Sequence, residues 1–317
     1  MPLARRSALI LPLLLTRPAL AAWPERPLRL IVPFPPGSGT DVLARLLVEP
    51  LGRQLGQPLV IDNRPGGNGV VGAQAGAAAA PDGYSLLIVG VSVAAINPHI
   101  LRRLPYDSTR DFAPIGGIAR QPYVMVINPE RPERDLAGFL EAGRRSRDGM
   151  TFSTGNAGSL IMGHMIAQAA GIRMTAVPYR GGAEAAADVA AGRIDFNLAD
   201  FSHAIAQHQG GRLRAIAVTT GERFPLAPDL PPIASVLPGF DADVWYAMVA
   251  PAAMPPEIAA AANRALGAVL ADTDVVARLT PLGLAPMPLD PAETARFIRE
   301  QSALWGERVR AAGIEPQ

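Results

Sequence analysis

Residues 28–47 read LRLIVPFPPGSGTDVLARLL. The run opens as a short apolar strand over 28–32, passes through a Pro/Gly loop and resumes as an amphipathic helix. The loop 34–41 carries Gly37, Ser38 and Gly39 where the helix begins. A helix N-terminus holds backbone N–H groups without helical partners and bears a partial positive charge. Glycines let a ligand approach that backbone closely. The segment is therefore an anion seat that needs no charged side chain. Phe34, Gly37, Ser38, Gly39 and Thr40 are its candidate contacts. Asp41 is a like charge beside that seat, so it either caps the helix or meets a ligand amine, hydroxyl or water.

The same strand–turn–helix rhythm continues along the chain. The spacing predicts strands over 28–32, 59–63, 84–89, 115–127, 151–153, 175–178, 194–199, 213–219 and 244–250. Helices are predicted over 41–55, 70–80, 136–145, 159–170, 182–191, 201–209, 256–270 and 291–312. This alternation argues an α/β fold with largely parallel sheets. The segments 115–127 and 244–250 suit two crossings between lobes, which places a cleft between them. Trp245 and Tyr246 are expected to pack at that hinge.

A second loop, STGNAGS over 153–159, repeats the chemistry of the first. It offers Thr154, Asn156 and Ser159 as hydroxyl and amide groups, with Gly155 opening the backbone. Ser159 also reads as a helix cap. Ser92 follows the third strand in GVSVA, close to a nucleophile elbow, but Ala94 stands where that motif has glycine. A ligand hydrogen bond suits it better than a nucleophile's role. Arg180, in YRGG, is either a carboxylate partner or a solvated loop residue. Asp200 either faces the cleft or, the preferred reading, caps the helix over 201–209. His203 and His208 are five apart and share no helix face, so no metal site is expected. They are read as surface residues.

Composition narrows the field. The 317 residues suit one large or two medium domains. There is no cysteine, which excludes a thiol nucleophile and a disulfide. All 29 basic residues are arginine, which excludes a Schiff-base lysine and a P-loop lysine. Residues 1–21 read as an export leader: Arg5 and Arg6, an apolar core over 7–15, and Ala19-Leu20-Ala21 for cleavage. The Arg pair also permits a twin-arginine route. Without Arg5, Arg6 and Arg17 the net charge is near −2, which gives no support to nucleic-acid binding. No later apolar run approaches a membrane span.

Eight motifs occur in an order that is specific: VPFPPGSGTD (32–41), IDNRPGGNGVVGA (61–73), APDGYSLLI (80–88), INP (96–98), VPYRGG (177–182), GRIDFNLAD (192–200), GRLRAIAVTT (211–220) and FDADVWYAMVAP (240–251). Over about residues 24–314 the chain resembles the periplasmic solute-binding proteins of tripartite tricarboxylate transporters, the Bordetella-uptake-gene type. The resemblance implies a type II Venus flytrap of two α/β lobes joined by two crossings. The lobes are expected at 24–122 plus 246–317, and at 123–245. It implies capture of a small carboxylate, with the 34–41 and 153–159 loops as jaws and with ordered water taking part. The implied partners are membrane transporter subunits; no cofactor is implied, and a periplasmic monomer is expected. One departure stands out. Where the family carries His and then Glu in the helix after the second jaw, this chain has Leu160 and His164, unless a gap brings His164 onto the His position.

The expected function is therefore a binding protein for a dicarboxylate, an amino-acid-like acid or an aromatic acid, not an enzyme. Two alternatives use the same scaffold. One is an extracytoplasmic hydrolase or lyase built on Ser92 or Asp41. The other is a sensory subunit that feeds a signalling partner.

Overall fold

A computed structural model describes residues 23–179 and 182–316. The export leader and Arg180 lie outside the described residues. The first lobe begins with β1 (Leu28–Val32), α1 (Gly39–Leu55), β2 (Leu59–Asn63), α2 (Val70–Ala77) and β3 (Ser85–Gly90). A single π-helical turn at Ser92–Ile96 runs into α3 (Asn97–Ile100). The long strand β4 (Phe112–Ile127) then carries the chain across. The second lobe holds α4 (Leu136–Arg145), β5 (Met150–Thr154), α5 (Ala157–Ala170), β6 (Met174–Pro178), α6 (Gly182–Ala190), β7 (Phe196–Asp200), α7 (Phe201–Gln209) and β8 (Arg214–Val218). Strand β9 (Asp243–Pro251) returns to the first lobe. There α8 (Pro256–Ala271), α9 (Thr273–Leu279), β10 (Ala285–Pro286) and α10 (Pro291–Ala311) complete it.

The strands lie in the order β2-β1-β3-β9-β4-β7-β5-β6, with β8 and β10 also on β4. Strand β1 is parallel to β2 and β3, and β5 is parallel to β6 and β7. The crossing strands run antiparallel to their neighbours. Residues 112–122 of β4 pair with β9, whereas 123–127 pair with β7 and β8. One strand thus belongs to both lobes. Pro122, which has no N–H to give a ladder, sits where the partners change. The arrangement is a Venus flytrap: two α/β lobes with a cleft between them.

Apolar stripes explain the placement of the helices. Leu43, Leu46, Leu47 and Leu51 of α1 are buried against the first sheet. Phe139 of α4 meets Phe196 edge-on beneath the second sheet. At the hinge, Trp245 on β9 and Trp305 on α10 are fully buried. Both indole N–H groups donate to the same oxygen, Gln301 Oε1, at 3.0 and 3.2 Å.

Two helix starts differ from the sequence reading. Helices α1 and α5 each begin two residues early, at Gly39 and Ala157. The reason is capping. Ser38 and Asn156 accept from the backbone N–H groups of Asp41 and Ser159, so they and not Asp41 or Ser159 are the caps. The turn at 92–96, α3, α9 and β10 were not expected from periodicity, since each is too short to show any.

Candidate functional site

The first jaw is held in shape from beneath. Asp41 is 1% exposed. One carboxylate oxygen accepts from Gly37 N–H at 2.9 Å and Arg45 Nε at 2.8 Å. The other accepts from Asn63 Nδ2 at 2.9 Å. Asn63 also donates to the Phe34 carbonyl at 3.1 Å, which ties β2 to the loop. Burial pushes the Asp41 carboxyl up, but the bonds from Arg45, Gly37 and Asn63 outweigh it and hold the group below its usual range. Both expected roles give way to this one: Asp41 neither caps α1 nor lines the cleft, because its acceptor sites are already used inside the loop. Gly37 has φ +83°, the left-handed turn that lets its amide reach Asp41.

That clamp leaves the helix start open. Among the described residues, the amides of Gly39 and Thr40 have no acceptor. Each charge-assisted bond to a carboxylate there contributes about 1.5–3 kcal/mol. Across the cleft, the second jaw is a capping box. Asn156 Oδ1 accepts from Ser159 N–H, and the Ser159 hydroxyl lies 3.4 Å from Asn156 N–H. Asn156 Nδ2 donates to the Tyr123 hydroxyl at 2.8 Å. Thr154, Gly155 and Ser159 do not line the cavity: Thr154 and Ser159 are buried and Gly155 is exposed.

The cleft is lined by Phe34, Ser38, Gly39, Thr40, Gly90, Val91, Ser92, Tyr123, Asn156, Asp200, Val244 and Tyr246. Seven of these are candidates from sequence. Tyr123, Tyr246, Gly90, Val91 and Val244 were missed. Tyr246 and Tyr123 come from the two crossing strands, so the hinge also supplies the floor of the site. The cavity measures only about 50 Å³. That is room for a water or two, well below the several hundred cubic ångströms of ordinary ligand pockets. The two lobes stand close together around it, with Asp200 of one beside Gly39 of the other.

Asp200 lies at the centre. It does not cap α7: its side chain accepts no hydrogen bond from that helix. It points across to the first jaw, where a Cβ built on Gly39 would lie 3.1 Å from its Oδ1. Its hydrogen-bond partner is Gln121 Nε2 at 3.4 Å, and the same amide donates to the Tyr246 hydroxyl at 3.0 Å. Burial pushes the Asp200 carboxyl up to about 6. An unfolded carboxyl ionises near pH 4, so stability falls as pH rises from about 4 to about 6 and is then flat. Asp200→Asn is expected to raise stability by on the order of 2 kcal/mol above pH 6 and to change it little near pH 4. Melting curves across that range check it.

The histidines stand apart from the cleft. His164 meets the Phe152 ring edge-on at 5.5 Å, and burial lowers its pKa. With Leu160 it borders a separate hollow beside Arg102 and the 313–316 tail. His208 is exposed, as expected. His203 is not: it is half-buried, with Nε2 lacking a partner among the described residues.

Residues 43–314 match the family described as "Tripartite tricarboxylate transporter family receptor". A UPF0065 protein of Bordetella bronchiseptica is 35% identical, covering 98% of this chain and 94% of its own. Among solved structures, R. palustris Rpa4515 with adipate is 31% identical with a TM-score of 0.88, covering 93% of this chain and 100% of its own. The periplasmic binding protein BugD is 29% identical with a TM-score of 0.85, covering 93% and 100%. MatC from Rhodopseudomonas palustris with bound malate is 28% identical with a TM-score of 0.83, covering 90% and 100%. Sequence, fold and the paired helix starts agree: this chain belongs to the tripartite tricarboxylate transporter receptor family.

Proposed function

We propose that the protein is a periplasmic receptor that captures a small carboxylate between its lobes and presents it to membrane transporter subunits. The observation that carries this reading is the pair of free amides at Gly39 and Thr40, facing a cleft that the second lobe closes. The acids held by its relatives, adipate and malate, support a dicarboxylate. Ligand contacts to both lobes exist only when they are together, so binding favours closure. The contacts assigned are Phe34, Ser38–Thr40, Ser92, Tyr123, Asn156, Asp200 and Tyr246, with Gly37 and Asp41 shaping the first jaw. The lobes divide at 24–122 plus 246–317, and 123–245; the change of strand partners after Pro122 supports the first boundary. The leader at 1–21 supports export. No described helix is long and apolar enough to cross a membrane. Capture without catalysis is supported by the family, whose solved relatives include a periplasmic binding protein.

A thermal-shift panel of carboxylic acids tests the reading. Adipate or malate at 100 times its dissociation constant is expected to stabilise the protein by about 2.7 kcal/mol. A panel of mono-, di- and tricarboxylates that produces no shift at all would overturn it.

A further inference from the structure

The first jaw is built for an anion, yet the group that faces it from the opposite lobe is itself a carboxyl. Asp200 stands beside the start of α1, where a Cβ built on Gly39 would lie 3.1–3.2 Å from its carboxyl. Its two oxygens offer about four acceptor sites, and the Gln121 amide at 3.4 Å is their partner among the described residues. The described lining of the cleft contains no cationic side chain. Arg45, on the same helix as the jaw, is held by Asp41 at 2.8 Å. A ligand carboxylate bound to the Gly39 and Thr40 amides would therefore rest against Asp200. Two carboxylates in contact within a water-poor site do not both stay ionised.

We propose that the cleft takes its carboxylate ligand together with one hydrogen located between the ligand and Asp200. With a plain dicarboxylate that hydrogen is a proton taken up from solvent. It forms the Asp200 O–H, which donates to the ligand carboxylate. With a hydroxy acid the ligand's own O–H donates to ionised Asp200, and no proton is taken up. This rests on the carboxylate-capture reading above.

The surroundings leave Asp200 as the group that titrates. Burial alone has already raised it to about 6, and a second anion acts in the same direction. Tyr123 on β4 and Tyr246 on β9 face it, and burial together with the charge of Asp200 pushes both phenols upward, so they stay neutral. Gln121 carries no charge. On α1, Asp41 is held low by its donors and Arg45 is fixed to it. On α7, His203 is held below its usual value by burial and is neutral at pH 7.

Calorimetry of the purified protein with adipate and with malate, at several pH values and in buffers of different ionisation enthalpy, tests the proposal. Adipate binding is expected to take up close to one proton at pH 7.5 and to weaken about tenfold per pH unit above 7. In Asp200→Asn the proton uptake and this pH dependence should vanish. Malate is expected to bind with less proton uptake, and Asp200→Leu should weaken malate at least tenfold relative to adipate. Binding of both acids without proton uptake, at a malate-to-adipate ratio that Asp200→Leu leaves unchanged, would overturn the role of Asp200 and leave capture intact. Failure of both acids, and of the wider mono-, di- and tricarboxylate panel, to bind at any pH is a different result: it removes the capture reading and this inference with it.

Discussion

Gly39→Val is expected to lower carboxylate affinity at least 100-fold while leaving the protein as stable as before. Gly39 is the first residue of α1 and has ordinary helical geometry, so valine fits its backbone and is favoured over glycine there by a few tenths of a kcal/mol. What opposes it lies across the cleft. Its Cβ would stand 3.1–3.2 Å from the Asp200 carboxyl, and its two methyls would fill the space in front of the free amides. The loss therefore falls on closure and on the anion seat, not on folding. Calorimetric titration beside a thermal melt separates the two. Gly37 is the contrast: no atom lies within 4 Å of its built Cβ, but φ +83° makes any side chain strained. Substitution there should cost stability first.

Asp41→Ala is the second large effect. It leaves the Gly37 amide without its acceptor and removes one of the two bonds of Asn63. Gly37 is exposed and its amide can turn to water, whereas Asn63 is partly buried, and a buried donor left unpaired costs about 1–3 kcal/mol. Arg45 is largely exposed and returns to water, so its part is small. A loss of about 1–2 kcal/mol in stability is expected, chiefly from Asn63, with affinity reduced by 100-fold or more because the jaw loses its shape. Asp41→Asn is expected to rescue little. Its amide nitrogen would be turned against Asn63 on one side or against Gly37 and Arg45 on the other. Urea unfolding and ligand titration of both variants check this.

Much of this was legible in the chain. Regular apolar spacing gave α1, β1–β3 and the two crossings. The glycine and hydroxyl residues at 37–40 and 153–159 marked both jaws. What the sequence hid were choices between equivalent chemistries. Ser38 competes with Asp41 for the cap, and Asn156 with Ser159; only the backbone path decides. Asp200 has the right residue type and place to cap α7, yet the fold turns it toward the opposite lobe. Tyr123 and Tyr246 sit inside strands that read as core. Their hydroxyls reach the cleft because β4 and β9 pass beneath both jaws, a long-range fact that no local pattern contains.

Gln301 accepts from Trp245 on the returning strand and from Trp305 on the terminal helix. Indole emission responds to the polarity and hydrogen bonding around the ring. Two of the chain's three tryptophans thus share one amide oxygen where the second crossing strand meets the terminal helix. Any shift of that strand against the helix on ligand binding is expected to change the native emission, readable without any attached dye.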